Sequence, residues 1–138
     1  MVNIVQNIVY VAKTLFGFKN KLSEANRNER IKIADYLKDV SGVLQAVHDS
    51  LQQDIVPHGK CKELEHHAEN MPNVISDKIV TNVQELANKL LAAHTVEHDL
   101  WKELNDAQDK AQELQKIEEA AGLLRGMATT IRAGGKPR

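Results

Sequence analysis

Residues 54–72, DIVPHGKCKELEHHAENMP, hold three histidines and the only cysteine of the sequence. These residue types ligate zinc and build nucleophile–base pairs, so their spacing decides what chemistry is open to them. Zinc needs ligands that converge tetrahedrally, and on a helix residues three or four apart share a face. His66 and His67 follow Cys61 by five and six positions, which turns them about 140° and about 120° away on opposite sides of a helix axis. Only His58, three positions before Cys61, lies within reach, and two ligands do not complete a site. Cys61 falls instead on an apolar stripe with Leu64, Ala68 and Met71, where a cysteine packs as a small hydrophobe. The expected role of VPHGKC is a tight corner between helices, with His58 or Lys60 capping carbonyls of the preceding helix.

The second candidate is HTVEH, residues 94–98, which matches the inverted zinc-peptidase pattern H-x-x-E-H. His94 and His98, at i and i+4, would chelate zinc from one helical face, with Glu97 as general base. Such a site needs a third protein ligand and a substrate cleft, and a thin helical bundle offers little of either. His94 also lies seven residues after Ala87 and seven before Trp101, so the plainer reading is a half-buried histidine in a packing seam. No catalytic residue, metal or cofactor is assigned on these grounds. A zinc-dependent hydrolase using His94, Glu97 and His98 stands as an alternative.

The elements that position these residues are helical. The 138 residues suit one domain with a real core, and the composition is 42% hydrophobic but only 4% aromatic. Ala, Leu, Gln, Glu, Lys and Asn dominate, and three prolines and seven glycines interrupt them. A formal net charge of −1 argues against a dedicated nucleic-acid binder. A lone cysteine forms no internal disulfide, which makes a reducing cytoplasm the default compartment.

Hydrophobic periodicity divides the sequence. Ile4, Ile8, Val11, Leu15 and Phe18 follow a 4-3-4-3 spacing, widened by Val5, Val9, Ala12 and Phe16 into an unusually broad apolar face. Ile33, Leu37, Val40, Leu44, Val47, Leu51 and Ile55 predict a second helix, capped near Ser23 or Asn26 and ended before Pro57. A short helix follows between Pro57, expected in its first turn, and Pro72. From Val74 to Ala121 no proline or glycine interrupts a drifting apolar stripe. A break is expected near HTVEHD, with Thr95 or Asp99 capping a last helix from about 99 to 132. Gly122-x-x-x-Gly126 has a spacing that suits close helix approach. The expected architecture is all-α: an antiparallel bundle of four main helices plus one short connecting helix, over residues 1–132, with a disordered tail at 133–138.

The first eighteen residues carry one charged side chain, Lys13. They have no basic leader and no small-residue cleavage site, so they do not read as a secretory signal. Sixteen helical residues would span roughly 24 Å, short of the ~30 Å hydrocarbon core. Directly after them, Lys19, Lys21, Arg27, Arg30 and Lys32 face only Glu24 and Glu29. An apolar face beside a basic flank suits the surface of an anionic bilayer. The competing reading makes this helix the most buried member of the bundle, and the two agree if it is buried at rest and released on activation.

From RIKIADYLKDV through VPHGKC and ELEHHAENMP to SDKI, about residues 29–80, the sequence resembles a family of small bacterial helical modules, chiefly cyanobacterial. That resemblance implies no settled enzymatic activity. The design of an apolar N-terminal helix on a long-helix bundle is similar to membrane-permeabilising death domains of the HeLo and mixed-lineage-kinase-like type. It implies a non-enzymatic effector or adaptor of a bacterial defence or cell-death pathway, cytoplasmic or peripheral to the membrane. Ile4, Ile8, Val11, Leu15 and Phe16 would insert or meet a partner helix, and Lys19, Lys21, Arg27 and Arg30 would meet anionic headgroups. A structural homo-oligomerisation module, with heptad-like stripes continuing into a second copy, is the alternative.

Overall fold

The computed structural model describes residues 3–57, 59–93 and 97–134. Among them the chain forms seven helices: α1 (Asn3–Gly17), α2 (Lys19–Ser23), α3 (Arg27–Gln52), α4 (Lys60–Val74), α5 (Val83–Ala93), α6 (Glu97–Asn105) and α7 (Lys110–Ala133). The all-helical class expected from composition and periodicity is what the structure shows.

Two of the caps follow directly from side-chain chemistry. The Asn26 side chain accepts the Glu29 amide at 2.9 Å and starts α3, one of the two caps expected there. Asp109 does the same for α7, accepting the Gln112 amide at 3.1 Å. The break expected near HTVEHD falls on residues 94–96, between the end of α5 at Ala93 and the start of α6 at Glu97, and these lie outside the described residues. The last helix begins at Lys110 and not near Asp99, because its cap is Asp109, ten positions further on. Ala107 keeps the hydrophobic rhythm across the break between α6 and α7, which hides it from periodicity. The Asn and Asp residues around it compete with the helix for backbone hydrogen bonds.

A second interruption spans residues 75–82, where one helix was expected to start. The Ser76 carbonyl accepts from both the Ile79 and Val80 amides, and its hydroxyl oxygen accepts from the Lys78 amide at 3.1 Å. These turns bury Ile75 and Val80 completely and leave Ile79 partly covered. Among the described residues the stretch after Val74 thus holds three helices, α5, α6 and α7, not one or two.

The end of α3 is closed by Asp54, not by Lys60. Asp54 takes a left-handed φ of 61°, the Asp54 amide donates to the Leu51 carbonyl at 3.0 Å, and the Ile55 amide donates to the Ser50 carbonyl at 2.8 Å. That bond pair is a Schellman closure with aspartate where glycine is usual. It turns Ile55 out of the apolar stripe, leaving it 51% exposed. Pro57 precedes α4 instead of entering it; Gly59, at φ 80°, provides the left-handed turn that starts the helix. Pro72 lies inside the final turn of α4, which ends two residues later.

Packing runs α1–α7–α3–α4–α5 and back to α1, with α2 against α7. At 15 residues α4 is as long as α1, so it is a full wall of the core and not a short connector. The longest seam is α3 against α7. Asp35 meets Arg132, Ser41 meets Ala121 and His48 meets Glu118, so the two helices run antiparallel. In the middle of that seam the Ser41 hydroxyl donates to the Ala121 carbonyl at 2.8 Å, both groups buried. Gly122 and Gly126, whose spacing suggested a close crossing, have no neighbour within 4 Å of where a Cβ would stand. The close approach is made by Ser41 and Ala121 instead. Residues 135–138 of the expected tail lie outside the described residues. Ala133 ends α7, and Gly134 closes it at φ 93°.

Candidate functional site

The cysteine–histidine stretch resolves into packing. Cys61 is 1% exposed and shares the core with Leu64, Ala68 and Met71, as its stripe position predicts. His66 is exposed, and the His67 ring stands edge-on to Tyr36 with centroids 5.7 Å apart. The Tyr36 hydroxyl donates to the His67 carbonyl, tying α3 to α4, and burial pushes that phenol well above its ordinary pKa. Lys60 pairs with Glu63 at 3.0 Å within its own helix and does not cap α3. His58 lies outside the described residues. So does His94 of HTVEH, together with the side chains of Glu97 and His98. Among the described residues no group of three or more His, Cys, Asp or Glu side chains is arranged to hold a metal ion.

The residues proposed to meet a membrane or partner divide into two sets. Ile4, Ile8, Val11 and Leu15 are buried in the core, between 1% and 7% exposed, with α1 packed against α5 and α7. Phe16 points the other way and is 42% exposed. It opens a short corner, Phe16-Gly17-Phe18, between α1 and α2. The Lys19 ammonium lies 4.8 Å from the Phe16 ring centroid, and the Lys21 ammonium 5.9 Å from that of Phe18. Both are cation–π distances, so the rings and the charges form one patch. From Lys13 to Lys21 the chain has three lysines and no acid. Arg27 is exposed just beyond.

Arg30, read as a headgroup ligand, is instead committed inside the fold. Its Nη1 donates to the Arg132 carbonyl at 2.9 Å and the Ile131 carbonyl at 3.3 Å, and its Nε donates to the Ala25 carbonyl at 3.0 Å. A cation on the last carbonyls of α7 answers the negative end of that helix. Gly134 gives it room: a Cβ there would stand 3.1 Å from Arg30 Nη1.

Two features escaped sequence reasoning because they join distant segments. His48 is 5% exposed, with Nδ1 2.9 Å from Asp49 Oδ1 and Nε2 3.7 Å from Glu118 Oε2. Hydrogen bonds from His48 and Gln45 hold the Asp49 carboxyl below its ordinary pKa. Between α1 and α7 a groove of 250 Å³ is floored by Val9, Ala12, Ala120 and Leu123 and rimmed by Lys13, Lys116 and Glu119. No described helix is long and apolar enough to cross a membrane.

Comparison with known protein families, with curated proteins and with solved structures finds no match for this chain.

Proposed function

We propose that this chain is a non-enzymatic helical effector or adaptor that docks on an anionic membrane surface through the α1–α2 corner, holding the apolar face of α1 in reserve. The carrying observation is the exposed Phe16 ring with the Lys19 ammonium above it, next to Phe18 under Lys21. Aromatic rings settle at the headgroup level, and each basic residue near an anionic surface contributes about 1 kcal/mol. Lys13, Lys19, Lys21 and Arg27 would together supply about 4 kcal/mol, a weak partition that the ring must strengthen.

Energetics separate docking from insertion. Ile4, Val5, Ile8, Val11 and Leu15 are buried, and each is worth about 2 kcal/mol. Releasing α1 would cost on the order of 10 kcal/mol, comparable to the whole stability of a typical domain. Docking by the corner needs no such opening. Insertion of Ile4, Ile8, Val11 and Leu15 is a second stage that a trigger must drive.

The test is sedimentation with vesicles of phosphatidylcholine and phosphatidylserine. Phe16→Ala, and separately Lys19→Glu with Lys21→Glu, should each lower the bound fraction at least five-fold, with binding falling as salt rises. A well-folded chain that ignores anionic vesicles would overturn the reading.

A further inference from the structure

The α3–α7 seam carries a groove of 410 Å³ lined by Ala34 and Lys38 on α3 and by Arg125, Ala128, Thr129 and Arg132 on α7. The α3 pair is spaced i, i+4 and the α7 set i, i+3, i+4, i+7, which puts each on one helical face. Alanines form its floor, so a ligand can come close to both helix backbones. Arg125 and Arg132 are seven residues apart, about 10 Å along the axis, and bracket the groove lengthwise.

Charge is what distinguishes this groove. Arg132 pairs with Asp35, Arg125 Nη2 donates to the neutral Gln45 Oε1 at 3.2 Å, and Lys38 makes no ion pair among the described residues. Three cations thus face one carboxylate in a chain whose formal net charge is −1. The surplus is a double positive charge. Guanidinium forks match the oxygens of phosphate bidentately, and an ammonium adds a point charge beside them. A phosphate monoester, with close to two negative charges at neutral pH, matches that surplus better than a carboxylate does.

We infer that the α3–α7 groove binds a phosphate monoester, with Arg125 and Lys38 as its main donors and Arg132 shared between the ligand and Asp35. The ester is either a soluble metabolite or the headgroup of phosphatidic acid; the recognition chemistry is the same. The site does not depend on docking by the α1–α2 corner.

The full chain is titrated with glycerol 3-phosphate, followed by the amide resonances of Lys38 and Thr129. In parallel it is sedimented with phosphatidylcholine vesicles carrying either phosphatidic acid or phosphatidylserine at equal total charge. Lys38→Gln and Arg125→Gln change exposed side chains, and circular dichroism verifies their folding. Each should weaken binding roughly ten-fold, while Lys102→Gln, a cation outside the groove, should not. Saturable glycerol 3-phosphate binding lost in both variants supports a soluble ligand. A preference for phosphatidic acid over phosphatidylserine, lost in both variants, supports the lipid. No binding in either arm, or equal losses in Lys102→Gln, overturns the site. Phosphatidylserine binding that still requires Phe16 would then leave the docking reading intact.

Discussion

Trp101 donates its indole N–H to the Asp54 carboxylate at 3.1 Å, and Asp54 holds that position from a left-handed backbone at φ 61°. The same oxygen lies 3.5 Å from Lys110 Nζ, which also donates to Asn105 at 2.8 Å. One residue at the end of α3 thus ties down α6 and the start of α7. The left-handed conformation costs an L-residue roughly 1 kcal/mol, and aspartate tolerates it better than most.

Asp54 can be dissected by two substitutions. Asp54→Gly removes the backbone cost and also the anchor. Global stability should stay within about 0.5 kcal/mol, while hydrogen exchange in residues 97–105 quickens. Asp54→Ala keeps the strained φ and loses the carboxylate, so it should cost about 1–2 kcal/mol in a denaturant melt. Equal stabilities for the two variants would mean that the backbone conformation is not what matters.

Leu15 and Ser41 test the core from two sides. Leu15 is 1% exposed on α1, so Leu15→Ala should cost about 2–5 kcal/mol. A loss below about 1 kcal/mol would show that α1 is not a working wall of the core. Ser41→Ala removes the buried bond to the Ala121 carbonyl, which keeps its own helical partner within α7, and should cost about 1 kcal/mol in a denaturant melt.

Cys61, 1% exposed on the inner face of α4, should react with a thiol reagent only as fast as the fold opens. Labelling of the native chain at the rate of a small free thiol would revive a nucleophilic role for it.

Asp49 gives the fold a dependence on acid. Its pKa is lowered in the folded state by the hydrogen bonds from His48 and Gln45, so its contribution is full above the ordinary carboxylate pKa and is lost as pH falls through the folded value. Asp49→Asn should therefore melt below the parent chain at pH 6, with the gap closing as pH falls below the ordinary carboxylate range. A gap unchanged across that range would place its origin outside this titration.

Helical class, a cap at Ser23 or Asn26, the core position of Cys61 and the broad apolar face of α1 follow from the sequence by itself. Each depends on interactions within a turn or two of helix, where spacing and side-chain type act directly. Tertiary packing alone decided the rest. An apolar stripe runs unbroken through Ala107 and Ile79, so the turns at 75–82 and 106–109 leave no mark on periodicity. A wide apolar face has the same pattern whether it meets lipid or a core, and only the packing of α5 and α7 against α1 assigns it to the core. The α3–α7 groove brings Lys38 to Arg125 and Arg132 from about ninety residues away. The bond from Trp101 to Asp54 likewise spans 47 positions. Local rules fix which face a side chain takes, and the closing of one helix on another fixes what that face meets.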